Sequence, residues 1–142
     1  MADLFFPPWL KEAAKNLGVH EGVGAANNPT VVQFYADAGF PGIKHDDVAW
    51  CAGFVGAMLK RAGYKPSGSL AARSYEAYGV NLHKPMFGCI GVKKRAGGGW
   101  LGHVGFVVAY DGSRVWMLGG NQGDAVTVAS FPWLRWNLSS SS

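Results

Sequence analysis

Every helix signal in this chain lies before Gly79, and every strand signal lies after it. Elements segregated in this way cannot alternate into the βαβ units of a parallel sheet, so the fold class is α+β, with N-terminal helices packed on one side of a small antiparallel sheet. PPWLKEAAKNLG has a proline at a helix start and Gly18 as a stop. In NPTVVQFYADAG, Asn28 is the expected N-cap, Pro29 the first helical residue and Gly39 the stop. A third helix is predicted from about Trp50 to Ala62, where two glycines imply close packing, and a shorter fourth over LAARSYEAYG. GCIGVKKR, GHVGFVVAYD, RVWMLGG and AVTVASF then read as strands, with Asp111-Gly112 marking a hairpin between the second and third.

A length of 142 residues leaves room for one core, and a chain 49% hydrophobic and only 15% charged is too apolar to be disordered. One domain is expected over residues 1–138, followed by a disordered serine tail at 139–142. Charge is uneven along it. Residues 51–142 hold ten basic side chains against three acids (Glu76, Asp111, Asp124), so this half favours a polyanionic partner: nucleic acid, anionic lipid or a bacterial envelope polymer. No zinc-finger spacing, phosphate loop or basic-aromatic sheet pattern accompanies the charge, so a nucleic-acid partner is not expected. The KKR cluster at 93–95 reads as a solvated strand edge.

Two cysteines, Cys51 and Cys89, are too few for a disulfide framework. Cys51 falls at the predicted start of the third helix, where the partial positive charge and backbone N–H groups of a helix N-terminus stabilise a thiolate and can hold an oxyanion. Cys89, among apolar strand residues, reads as structural. A thiolate nucleophile needs an imidazole base. His103 heads the best-patterned strand between Gly102 and Gly105, whereas His20, His45 and His83 sit in polar, loop-like segments. A strand histidine is also a common structural residue. Antiparallel return from the hairpin carries Asn121, in LGGNQ, back toward His103 and makes it the candidate to orient the ring, although the same residues make ordinary turns.

AWCAGFVGAML, GHVGFVV and LGGNQ, in that order and spacing, resemble the CHAP and NlpC-type cysteine peptidases, a papain-like superfamily of bacterial cell-wall hydrolases. PPWLKEAAKNLGVHEGVGAANNP and SLAARSYEAYG are similar to a small single-domain branch found among phage endolysins. The resemblance spans roughly residues 8 to 133 and implies a papain-like fold that hydrolyses an amide bond of peptidoglycan. The bond would be either the one joining N-acetylmuramic acid to L-alanine or one within the stem peptide. It implies Cys51 as nucleophile, His103 as general base and Asn121 as the polar third member, with no metal or other cofactor. Glu21 and Asp47 are rival acidic partners of the ring. Arg73 is a candidate for pairing with a stem-peptide carboxylate. Trp50, Trp100, Trp116 and Gln122 are candidates to line a substrate groove, against the alternative that most aromatics pack the core.

A zinc amidase would act on the same substrate, but its ligand spacings, such as HxxxH or CxxC, are missing from the sequence. The competing class is a non-catalytic wall-binding module in which Cys51 is inert. No segment is long and apolar enough to cross a bilayer, and MADLFFPPWLKEA lacks a basic n-region. The resulting expectation is a monomer made in the host cytoplasm without a signal peptide and released through a holin-type pore to act on the wall.

Overall fold

The computed structural model describes residues 7–22, 28–44, 50–82, 86–94, 102–122, 124–132 and 136–140. Among the described residues three α-helices, α1 (Pro8–Ala14), α2 (Pro29–Asp37) and α3 (Cys51–Arg61), precede six strands. These are β1 (Val80–Leu82), β2 (Ile90–Lys94), β3 (Gly102–Tyr110), β4 (Arg114–Gly119), β5 (Thr127–Pro132) and β6 (Trp136–Ser140). They form one sheet in the order β1-β6-β2-β3-β4-β5, and every neighbouring pair is antiparallel. The α+β arrangement matches the segregated sequence pattern. Among the described residues, no helix is long and apolar enough to cross a membrane.

Local chemistry sets the helix boundaries. Asn28 Oδ1 accepts the Thr30 N–H at 2.8 Å, a cap worth about 1 kcal/mol, and Pro29 follows with the φ a first helical turn requires. Gly39 ends the segment at φ 106°. In α3, the two glycines are contact points. A Cβ on Gly53 would lie 3.2 Å from the Tyr35 ring, and one on Gly56 would lie 2.9 Å from the Ala38 Cβ, so only glycine lets α2 and its C-terminal turn press this closely onto α3.

The expected fourth, shorter helix is a 3-10 helix, Ala72–Ala77. Its buried residues, Ala72 and Tyr75, are three apart, which suits three residues per turn, and no side chain caps it. The flanking strands β1 and β6 were not anticipated. Ser139 and Ser140, expected in the tail, are the last residues of β6 and pair with β1 and β2. The lysines of β2 are not on a sheet edge either, since β2 lies between β6 and β3.

Alternation along β3 divides the interior. Val104 and Phe106 face the helices and join Ile90, Val92, Leu118, Phe34, Trp50, Phe54 and Met58 in the main core. Val107 faces the other side, with Cys89, Val115, Met117 and, partly buried, Phe131. The β3–β4 hairpin closes on Asp111, whose carboxylate accepts the N–H groups of Ser113 and Arg114, each at 2.8 Å. Those two bonds hold its pKa below the usual aspartate value.

Candidate active site

Cys51 is the first residue of α3 and is 6% exposed, with Trp50 as N-cap. Two consecutive glycines fix where this helix end sits. A Cβ on Gly120 would lie 2.7 Å from Phe54 Cβ and within 2.9 Å of the Trp50 ring, so the first turn of α3 rests directly on the backbone just beyond β4. A Cβ on Gly119 would instead meet Gln122 Oε1 at 2.7 Å and His103 Nε2 at 3.5 Å. The helix start carrying Cys51 and the imidazole of His103 therefore pack against adjacent residues of one strand end.

His103 lies near the start of β3, and its Nε2 is 2.8 Å from Gln122 Oε1. Gln122 is buried, at 8% exposed, and the orientation of its amide is determined by its nitrogen end. Its Nε2 donates to the carbonyls of Met117 (3.2 Å) and Thr127 (2.9 Å), which can only accept, and also meets Thr127 Oγ1 at 3.2 Å. The oxygen must then face the ring, so His103 Nε2 carries the proton and the neutral ring has its lone pair on Nδ1. This is the tautomer a general base acting through Nδ1 requires.

The ring partner is thus Gln122 rather than Asn121. Asn121 adopts φ 60° in the turn after β4, and that left-handed residue reverses the chain and swings the next side chain onto the ring. Gln122 was expected to contact substrate, but its amide is committed to His103 and the two strand carbonyls. Trp50 is also corrected. It is fully buried, stacked on Phe34 with centroids 6.0 Å apart, and donates its indole N–H to Glu21 Oε1 at 2.9 Å, so it cannot line a groove. Glu21 is accordingly Trp50's acceptor, and among the described residues it makes no bond to His103.

The segment carrying Glu21 is itself tied down beside the site, through Glu21 N–H to Asp124 O (3.0 Å) and Val126 N–H to Val19 O (2.7 Å). Arg73 forks onto Glu76 with Nε and Nη2 at 3.1 and 3.3 Å, and its Cγ lies 3.3 Å from where a Gly102 Cβ would stand, next to His103. Trp116 is half-buried on β4. Asp47 and Trp100 lie outside the described residues. Cys51 and Cys89 are both thiols, with no disulfide between them. Burial pushes the Cys89 thiol up to about 11, which keeps it neutral and unreactive at ordinary pH.

The family model for the CHAP domain matches residues 43–121, more than half of the chain. The chain belongs to the CHAP domain family. That family comprises peptidoglycan hydrolases, amidases and peptidases, that work by a cysteine-based mechanism. No curated protein and no solved structure matches the chain. The matched segment of the CHAP domain contains Cys51 and His103, while the ring partner Gln122 and the β5 residue Phe131 lie beyond it. Phe131 is a neighbour of the site that the sequence did not suggest. Its ring centroid is 5.7 Å from that of His103, and Lys93 Nζ sits 5.9 Å from the same centroid. The only available signal was the alternation of AVTVASF, which puts Phe131 on the same face of β5 as Thr127 and Ala129 but does not say which strand it faces.

Proposed function

We propose that this protein hydrolyses an amide bond of bacterial peptidoglycan, as an N-acetylmuramoyl-L-alanine amidase or a stem-peptide endopeptidase, with Cys51 as nucleophile and His103 as acid and base. The observation that carries the reading is the Gln122–His103 hydrogen bond, because a buried amide held at both ends selects the Nε2–H tautomer and leaves Nδ1 to exchange protons.

In this mechanism Nδ1 takes the Cys51 proton, and the thiolate attacks the carbonyl carbon as the C=O π electrons move to oxygen. Backbone N–H groups in the first turn of α3 stabilise that oxyanion. Collapse of the intermediate expels the amine, which receives the proton from Nδ1, and leaves a thioester on Cys51. Water then attacks the thioester while Nδ1 accepts its proton, releasing a carboxylate and restoring the thiol. Gln122 acts through His103 as a positioning residue.

We further propose synthesis in a host cytoplasm and holin-type release, as for a phage endolysin, as the biological setting. The chemistry is tested by digesting purified peptidoglycan with the wild type and with Cys51→Ala and identifying the fragments by mass spectrometry. New amino groups on L-alanine are the expected product of the amidase, and new ends inside the stem are that of the endopeptidase. Products that persist with Cys51→Ala would overturn the mechanism.

A further inference from the structure

We infer that Lys93 and Phe131 form a carboxylate-binding platform beside His103, which seats an anionic group of the substrate's stem peptide next to the bond to be cut; this rests on the peptidoglycan reading above. Three observations converge on it. Lys93 stands directly opposite His103 in the β2–β3 ladder, so the two side chains leave the same face of the sheet. Phe131 joins them there, with His103 tilted against its ring and the Lys93 ammonium over it. All three side chains are half-buried and therefore reachable from solvent.

The placement of the lysine is the decisive point. β2 is an interior strand, where a lysine has to leave a face already lined with apolar side chains. Among the described residues no carboxylate pairs with its ammonium, and its neighbour is the Phe131 ring. Arg73, which lies against Gly102 beside His103, is by contrast already matched with Glu76. A cation held over an aromatic face is partly desolvated without being neutralised, which strengthens its attraction for an incoming anion. Peptide stems of bacterial walls carry free carboxylates, whereas the glycan N-acetyl and hydroxyl groups are uncharged. The ligand this platform suits is therefore the acidic peptide, with the Phe131 ring covering the aliphatic part of the same residue.

The test separates binding from turnover. In a Cys51→Ala background, the affinity for a soluble stem peptide with free carboxylates is measured by calorimetric titration, alongside the same peptide with its carboxylates amidated. Lys93→Met keeps the aliphatic stem over Phe131 and removes the charge; it is expected to weaken binding of the free-carboxylate peptide about three- to tenfold and leave the amidated one unchanged. Lys93→Arg should restore the preference. Equal affinities with and without the Lys93→Met change, an equal loss on both peptides, or no binding of either peptide at millimolar concentration would overturn the proposal. If the binding contrast holds while the wild type releases no new amino groups from peptidoglycan, the hydrolase reading fails and the platform stands.

Discussion

His103 Nε2 and Gln122 Oε1 lie 2.8 Å apart, and the other end of the Gln122 amide is tied to the Met117 and Thr127 carbonyls. A side chain with no charge thereby fixes both the rotation of the ring and the nitrogen that bears its proton. Replacing Gln122 with Met keeps the length, loses the acceptor and leaves two carbonyls without their donor. We expect kcat to fall about ten- to a hundredfold with KM nearly constant, and stability to drop by about 1–3 kcal/mol. Asn121→Gly should keep both within about twofold and 0.5 kcal/mol, since glycine accepts φ 60° without strain. Steady-state kinetics and urea melts on the two variants check this; an activity loss larger for Asn121→Gly than for Gln122→Met would refute the assignment.

Gly120 allows α3 to reach the site. A methyl group there would stand 2.7 Å from Phe54 Cβ and 2.8 Å from the Trp50 ring, and neither atom belongs to the flexible end of a side chain. Gly120→Ala should therefore displace the helix start, cost about 1–3 kcal/mol and reduce activity by more than its effect on folding explains. Activity measured well below the melting temperature, where both proteins are folded, isolates the displacement.

Glu21 and Trp50 make a separable pair. Glu21→Ala strands a buried indole N–H and should cost about 1–3 kcal/mol, whereas the same change in a Trp50→Phe background should cost much less. Glu21→Gln keeps an acceptor and should retain activity within about threefold. A loss of two orders of magnitude for Glu21→Gln would instead make its charge part of the chemistry.

The two thiols should behave differently. With its pKa pushed up to about 11 by burial, Cys89 should resist iodoacetamide in the folded protein at pH 8 and react only on unfolding. The unfolded thiol ionises near its ordinary value of about 8.5. Above that pH the unfolded state binds fewer protons than the folded one, so Cys89 lowers stability progressively as pH climbs from about 8.5 toward 11. Peptide mapping after alkylation checks the first expectation, and a pH series of melts on wild type and Cys89→Ala checks the second.

The features legible in the sequence are those that local chemistry specifies. Asn28, Pro29 and Gly39 delimit α2 by capping and backbone preference, and Asp111 closes its hairpin through its own carboxylate. Strands β1 and β6 have no such local mark; their residues become strands only by pairing with distant partners, as Leu82 does with Leu138. The site divides in the same way. Phe106 opposite Leu118 extrapolates to Asn121 opposite His103, so reasoning from register stops one residue short of Gln122. The left-handed turn at Asn121 makes the difference, and asparagine tolerates that conformation without announcing it. Phe131 and Lys93 were hidden because they converge on His103 from β5 and β2, through the order of strands in the sheet rather than the order of residues in the chain.

The proposed pairing of the Cys51 thiol with the His103 ring is tested most directly by the rate of Cys51 alkylation as a function of pH, in the wild type and in His103→Ala. The account predicts a wild-type inflection well below the ordinary thiol value of about 8.5, moved up to that value or beyond once the imidazole is removed. Superimposable profiles for the two proteins would contradict it.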